Sequence, residues 1–402
     1  MACMCHITIL GKLLTMGKRK EIRMKILVIS HEYPPIGGGG ANACLFLTRE
    51  FARIGHEVTI LTAKFGQLPE EEVTPEGVMI KRVQCKRKNE ASSSFAEMLS
   101  YLLSAWKKAG KLVRQNGYDV CLVFFGIPSG PLALYLKRRY RLPYLIRSGG
   151  GDIPGTQKRF DVLYKIISPA LRMIWKQSEG IVANSAGLKK RAEDFEDRYP
   201  VYVVENGVDT DFFKPDPDKR EADTINILFV SRLIERKGLQ YVIPKLNIIQ
   251  KKVLEGAGRN VHLTVVGDGP YREQLEHLVN EYSCRNLVSF IGKKNKNELD
   301  IIYQSADLFI LPSLWEGMPN VVLEAMASGL PVVMSPCEGS GELVTDNGYI
   351  SDIDDFDSKI IQICVDGELR TRMSQNSIRA VKERFSWQRA ANEYLKLMEK
   401  LP

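Results

Sequence analysis

The sequence has no apolar run approaching the ~18 residues that a membrane-spanning helix needs. None of its eight cysteines forms a CxxC pair or a spaced metal-binding pattern. The first absence excludes an integral helical membrane protein. The second excludes a zinc site of the finger type and a disulfide framework, and reduced, mostly buried thiols in a cytosolic protein are the plain reading of Cys3, Cys5, Cys44, Cys85, Cys121, Cys284, Cys337 and Cys364. No RRM or other nucleic-acid module is present, so no nucleic-acid partner is expected. Acidic residues are scarce in the first half. Residues 1–200 hold 18 Asp and Glu against 32 Lys and Arg, whereas residues 201–402 hold 30 against 24. The first half is therefore suited to something anionic, and a peripheral contact with an anionic membrane surface is the expectation that survives.

With 402 residues, 44% hydrophobic and 26% charged, the chain has the size and composition of two soluble domains of roughly 100–200 residues each. Residues 1–23 stand apart. The apolar run 7–14 is followed, not preceded, by the cluster Lys18, Arg19 and Lys20, the reverse of a secretory signal. They are expected to be a disordered extension before a start at Met24, with a membrane-surface anchor as the alternative. Strand-like stretches follow at 25–30, 58–61, 79–83, 120–124, 143–147 and 181–183. Helix-like stretches lie at about 42–54, 94–114 and 131–140. Further strands read at 225–231, 261–267, 288–292, 306–311 and 330–334, with a helix at 271–282. This alternation predicts an α/β protein of doubly wound parallel sheets. Pro215 and Pro217, in a charged stretch to Asp223, mark a linker. The expected domains are 24–214 and 215–385, with 386–402 as a helix packing back on the first domain.

The chemistry concentrates at 311–334, which reads as strand, turn, helix, turn, strand. Pro319 is expected as the first helical residue, where its missing N–H costs nothing, with the helix continuing over 321–326. Gly329 and Pro331 mark the helix stop. Glu316 lies in the turn and Glu324 in the second helical turn. Eight residues of helix correspond to a rotation of roughly 80° and a rise of about 12 Å. The pair can thus line one elongated ligand, beside the free amides of Met318, Asn320 and Val321 at a helix N-terminus. Two solvated surface charges are the bland alternative.

Other loops carry weaker signals. Gly38, Gly39 and Gly40 follow the first strand, where glycines let backbone amides approach an anion. Arg232 and Lys237 follow the strand at 225–231, and two fixed cations there suit a diphosphate. They precede an expected helix, whose dipole disfavours positive charge at that end. Gly267-Asp-Gly-Pro270 lacks the third glycine of a dinucleotide fingerprint. The aspartates of 352–357 are expected to cap the segment that follows them. The aromatics and cations of 94–114, with Trp106, Lys107, Lys108, Lys111 and Arg114, and of 137–141 suit a lipid headgroup surface. They equally suit ordinary solvated helix faces.

The run from Glu316 to Val332 resembles the signature of glycosyltransferase family 4, E-G-x-P-x-x-x-x-E-A-M-A-x-G-x-P-V. Ser231 to Gly238 resembles the family's G/S-R-x-x-x-x-K-G. Val203 to Phe213, Val182 to Ser185 and Phe385 to Leu401 resemble further landmarks. The resemblance spans about 24–401 and implies the GT-B fold, two Rossmann-like domains facing across a cleft. It implies retaining transfer from a UDP- or GDP-sugar, a substrate rather than a cofactor, to an acceptor hydroxyl, without a catalytic metal. It assigns Arg232 and Lys237 to the departing diphosphate and Glu316 to the transferred sugar. Glu324 is assigned to the ribose, with the amides after Gly317 in support. Gly38, Gly39 and Gly40 would border the donor phosphates, and Gly292 and Lys293 the base. Arg147 to Pro154 approximates an R-G-x-D-x-P version of an acceptor-side loop, with Gly149 where many members have His. Arg147 and Asp152 are its candidate residues, a turn-capping role for Asp152 being the alternative. A glycan or lipid-linked acceptor in cell-envelope synthesis and a cytoplasmic location, peripheral at the inner face of the membrane, complete the expectation. A nucleotide-sugar epimerase and a non-catalytic glycan- or nucleotide-sugar-binding scaffold remain the alternatives.

Overall fold

The computed structural model describes residues 23–90, 93–154 and 161–401. The expected extension at 1–23 therefore lies, apart from Arg23, outside the described residues. The first sheet is built from β1 (Lys25–Ile29), β2 (Glu57–Ala63), β3 (Glu71–Val73), β4 (Met79–Val83), β5 (Val120–Phe124), β6 (Tyr144–Arg147), β7 (Gly180–Ala183) and β8 (Val201–Val203). Its order is β3-β4-β2-β1-β5-β6-β7-β8. Every neighbouring pair is parallel except β3 with β4. β5, Val-Cys-Leu-Val-Phe, is buried throughout, the near-continuous apolar run that a strand covered on both faces requires. β3, Glu-Glu-Val, is exposed throughout and closes one edge with charge.

Helices cover both faces. α1 (Gly39–Ile54) joins β1 to β2. α2 (Phe95–Asn116), α3 (Gly130–Tyr140), α4 (Asp161–Gln177) and α5 (Ala186–Phe195) join the strands that step the other way. Right-handed crossovers then put α2 to α5 on the face opposite α1. The switch in direction lies between β1 and β5, where open α/β sheets place their ligands.

The second sheet contains β9 (Thr224–Val230), β10 (Asn260–Val266), β11 (Val288–Phe290), β12 (Leu308–Leu311), β13 (Val332–Met334) and β14 (Gly348–Ile350). It is all parallel, in the order β11-β10-β9-β12-β13-β14. Around it lie α6 (Leu246–Ala257), α7 (Arg272–Glu281), α8 (Lys296–Gln304), α9 (Asn320–Ala327), α10 (Ser340–Leu343), α11 (Phe356–Val365) and α12 (Gly367–Arg384). α13 (Trp387–Met398) returns to the first domain and packs on α1, with Trp387 stacked on Phe46 at 5.3 Å.

Three local expectations are corrected. α1 begins at Gly39, three residues earlier than expected. Pro319 is the N-cap of α9, with extended ψ, and Asn320 is the first helical residue. Arg232 does not lead into an α-helix. Three 3-10 turns come first, at Glu235–Lys237, Leu239–Tyr241 and Ile243–Lys245. Left-handed Gly238 and Pro244 interrupt any regular helix before α6. The dipole argument drawn from a helix start at Arg232 therefore falls.

The two domains are joined twice by the chain, at 204–223 and at 384–387. The joints touch. Val208 N donates to Phe385 O at 2.9 Å, and the approach is so close that a Cβ on Gly207 would lie 2.2 Å from Trp387 N. Backbone on both sides leaves nothing to move aside. Gly207→Ala is expected to destabilise the protein by about 1–3 kcal/mol, the usual cost of overpacking, read as a lower unfolding midpoint in denaturant.

Candidate active site at the cleft

The site assembles where the carboxyl edges of the two sheets meet. β12 ends at Leu311, and the chain runs through Pro312, Ser313, Leu314 and Trp315 to Glu316, which is buried. Its carboxylate accepts from Ser313 Oγ at 2.9 Å and from the Lys237 ammonium, its ion-pair partner. The pair forms because the 232–238 loop lies flat on the β12 end. Gly238 has φ +76°, and a Cβ there would stand 1.8 Å from Pro312 O. Arg236 backs the same loop, donating to Trp315 O at 3.0 Å with its guanidinium over the Trp315 ring. Arg232 is exposed at the end of β9 and has no ion-pair partner among the described residues. Thus one cation is fixed by a buried carboxylate and the other is free for an incoming anion.

Beside them α9 begins. The amides of Gly317, Met318, Asn320 and Val321 find no protein acceptor among the described residues, so this helix start offers unpaired donors. Glu324 lies one turn further on and accepts from Tyr303 Oη at 3.0 Å. Burial pushes its carboxyl up to about 7, while the Tyr303 hydrogen bond and Lys296 act the other way. Gly292 lies at the end of β11, its carbonyl accepting from Gly267 N at 2.9 Å. Lys293 is exposed and reaches across the cleft to Glu90 at 3.8 Å.

From the first domain, Gly38 caps α1, and Gly39 and Gly40 form its first residues. Gly39 O accepts from Asn320 Nδ2 at 3.3 Å, so the glycine loop meets α9 directly. Asp152 is buried and fully engaged, accepting from Gly126 N at 2.9 Å, Ser148 Oγ at 2.8 Å and Gly149 N at 2.9 Å. It braces the 148–152 loop, the turn-capping alternative. Gly150 of that loop packs beneath Trp315, whose Cη2 would lie 3.0 Å from an added Cβ. Arg147 is also buried, donating to Asn206 Oδ1 at 2.9 Å and meeting the Tyr394 hydroxyl of α13. Its charge points at the domain joint. His31, just beyond β1, is buried beside Phe125 and held neutral by desolvation and by Arg87, its pKa lowered to about 3.

Asn206 is the residue that sequence reasoning left without a role, although it sits inside the landmark 203–213. Its side chain accepts from Arg147 and donates to Asn320 Oδ1 at 3.0 Å and Met318 O at 3.4 Å. It ties the first domain to the start of α9. Tyr303 and Trp315 likewise touch the site with no sequence signal beyond being aromatic. The aspartates of 352–357 do something other than expected. Asp355 occupies the N-cap of α11 but binds Ser358 Oγ, not backbone, and Asp357 pairs with Lys245 at 2.6 Å. Among the described residues, no three His, Cys, Asp or Glu side chains converge as metal ligands would.

The profile of glycosyltransferase family 4 matches residues 37–212, and that of glycosyl transferases group 1 matches 210–380. The chain belongs to glycosyltransferase family 4. An uncharacterized glycosyltransferase of Methanocaldococcus jannaschii is 29% identical over 391 residues, 92% of this chain and 96% of the relative. A GDP-mannose-dependent alpha-(1-6)-phosphatidylinositol monomannoside mannosyltransferase of Mycolicibacterium smegmatis is 28% identical over 356 residues, 83% and 86%. Among solved structures, sucrose-phosphate synthase from Thermosynechococcus elongatus superposes with a TM-score of 0.79 at 21% identity, covering 94% of this chain and 99% of its own. Anabaena HepE, crystallised with UDP and glucose, gives 0.71 at 17%, covering 94% and 100%. The fold of this glycosyltransferase is GT-B, with the cleft between its two parallel-sheet domains.

Two outcomes follow from these contacts. Asn206→Ala removes one of the two partners of the buried Arg147 guanidinium, the other being Tyr394, so a loss of about 1–3 kcal/mol is expected in urea unfolding. A raised Glu324 pKa means that the folded state holds a proton which the unfolded chain releases. Stability from this group is present below its ordinary value of 4.5 and is lost as pH rises to about 7. Glu324→Gln should therefore gain on the wild type between those values and keep a constant advantage above them, as measured by thermal unfolding against pH.

Proposed function

We propose that this family 4 enzyme transfers a sugar, with retention of configuration, from a UDP- or GDP-sugar to an acceptor hydroxyl. The observation that carries the reading is the Lys237–Glu316 pair set beside the unpaired amides of α9, with Arg232 free at the mouth. The donor diphosphate lies against Arg232 and Lys237. Negative charge grows on it as the glycosidic bond breaks; Lys237, held by Glu316, is already in place to receive it, and Arg232 is free to close on it. Glu316, held in place by Lys237 and Ser313, accepts from hydroxyls of the transferred sugar, while the amides after Gly317 donate to them. Glu324, steadied by Tyr303, accepts from the ribose, and the loop of Gly292 and Lys293 borders the base.

The acceptor enters from the first domain, past Gly38, Gly39 and Gly40 and the loop that Asp152 braces. Asp152 acts through the backbone it positions and Arg147 through Asn206 at the domain joint, since their own charged atoms are taken up by protein partners. Asp152, the first-domain carboxylate of this loop, is taken up by protein donors and is not free to act as a nucleophile. The acceptor hydroxyl therefore attacks on the face the diphosphate leaves, its proton passing to the departing phosphate oxygen. The reading uses neither a metal nor a cofactor. A glycan or lipid-linked acceptor and a cytoplasmic protein peripheral at the inner membrane face suit the basic first domain. Relatives support such acceptors: one is a phosphatidylinositol mannoside mannosyltransferase, another a lipopolysaccharide core biosynthesis glycosyltransferase of Rhizobium meliloti.

Thermal shift with UDP, GDP and their sugars tests the donor site. One base class should raise the unfolding midpoint, and Arg232→Ala should abolish most of the shift. Once the donor is known, Arg232→Ala and Glu316→Gln should each lower the transfer rate on the order of 10²–10³-fold. Absence of any shift with every nucleotide sugar would overturn the reading in favour of a non-catalytic scaffold.

A further inference from the structure

Away from the chain crossings, the domains also meet at the Glu316–Gly317 turn. The start of α5 comes from the first domain, and the loop 337–339 with α10 from the second. Their backbones touch. A Cβ on Gly187, in the first turn of α5, would lie 2.4 Å from Glu338 O. The same loop presses on the turn from its other side. A Cβ on Gly339 would lie 1.8 Å from Gly317 O, and Glu338 N donates to Glu316 O at 3.1 Å. The order through the contact is therefore α5, then Glu338 and Gly339, then Glu316 and Gly317. Glycine at 187 and at 339 lets three segments of backbone stack with no side chain between them. Asn184, just ahead of α5, is buried and lays its amide against Gly317, its Oδ1 3.2 Å from where a Cβ would stand.

Two carboxylates of the second domain hold this stack together. Glu342 accepts from Ala186 N at 2.5 Å. The first amides of a helix have no partner within it and usually take one from a side chain just ahead. Ser185 does this for Leu188 N at 3.1 Å. Ala186 instead takes its acceptor from the other domain, 156 positions away in the chain. The α5 dipole favours a negative charge at that end. Glu338 adds an ion pair with Arg191, further along α5. The transfer reaction as described uses none of these three side chains. Each contact joins one domain to the other, so parting the domains breaks them all at once.

We propose that Arg191, Glu338 and Glu342 are positioning residues for the transfer, a clasp through which the first domain sets the Glu316–Gly317 turn against the sugar of the donor. They touch no substrate. Arg191 and the start of α5 fix the loop 337–342, and that loop fixes the turn through Glu338 N and the Gly339 backbone. Arg232, Lys237, Glu324 and the Gly292 loop, given above to the nucleotide, all lie in the second domain. A broken clasp therefore leaves the nucleotide bound and costs the contribution of the sugar and the rate of transfer. A plain brace between domains would not separate nucleotide from nucleotide sugar. The link to the sugar rests on the function proposed above, whereas the clasp itself does not.

Amide hydrogen exchange on the full chain tests the clasp with no donor present. Glu342→Ala should speed exchange at Ala186 and Glu338 about 5-fold or more, the loss of a typical helix cap. Glu342→Gln, which keeps an acceptor oxygen, should speed it less, and Lys190→Glu, exposed on the same helix, should not change it. With the donor identified, Arg191→Ala and Glu338→Gln should each lower kcat about 10- to 100-fold, the cost of a misplaced reacting group. Each should weaken nucleotide-sugar binding and leave the bare nucleotide bound as in the wild type. Arg191→Lys, which keeps the charge, should recover most of the rate. Arg191 is 42% exposed, so its variants should keep the wild-type unfolding midpoint. Arg191→Ala with Glu338→Gln should lose no more than either change alone. Unchanged exchange in Glu342→Ala, equal losses for nucleotide and nucleotide sugar, or additive losses in the double variant would overturn the proposal. Faster exchange in Glu342→Ala, with a wild type that binds no nucleotide sugar, would uphold the clasp and count against the donor reading alone.

Discussion

The cleft depends on one close backbone contact, the approach of 206–208 to 385–387. Two parallel sheets can each fold around their own core, but they form a shared site only if their carboxyl edges face each other at a fixed separation. Val208 and Phe385 join the two chain crossings, Gly207 leaves no room between them, and α13 then anchors on α1. Asn206 lies at the end of this joint. Through it a buried arginine of the first domain reaches the start of α9 in the second. The helix start that lines the donor region is thus held from both domains.

Charge in the cleft is arranged by degree of burial. Lys237 and Glu316 are largely removed from water, where a pair gains little net stability because desolvation offsets attraction. Such a pair is better understood as fixing geometry. Each side chain holds the other in one position, so neither must reorganise when a substrate arrives. Arg232 is the complement, an exposed cation with freedom to follow an anion. Glu324 is different again. Its surroundings disfavour its charge, and Tyr303 holds it in place by a hydrogen bond that serves either protonation state.

The first domain uses its two helical faces for different ends. The α1 face is consumed by α13 and holds the molecule together. The α2 to α4 face carries no covering element among the described residues and exposes both apolar side chains, Leu103 and Ile166 among them, and cations such as Lys111 and Arg114.

The alternation of strands and helices and the punctuation of 311–334 by Pro319, Gly329 and Pro331 were legible because they act within a few residues. So was the family pattern around Glu316 and Glu324. Local rules also set the limits. Pro169 obscures α4, a helix that carries it in its interior, and the turns after Arg232 follow from packing of Gly238 on Pro312, 74 residues away in the chain. Whether a charge is free or engaged was not legible at all. Arg147 and Asp152 look alike in the sequence as candidate polar groups, and only the fold turns one to the joint and the other into its own loop. The sequence by itself determined which segments form strands, which loops carry cations, carboxylates and glycines, and to which family the chain belongs. Tertiary structure alone decided which of those charges pair, which stay open to a ligand, and which helix face is left uncovered. Those outcomes depend on contacts between residues far apart in the chain, and no local pattern encodes them.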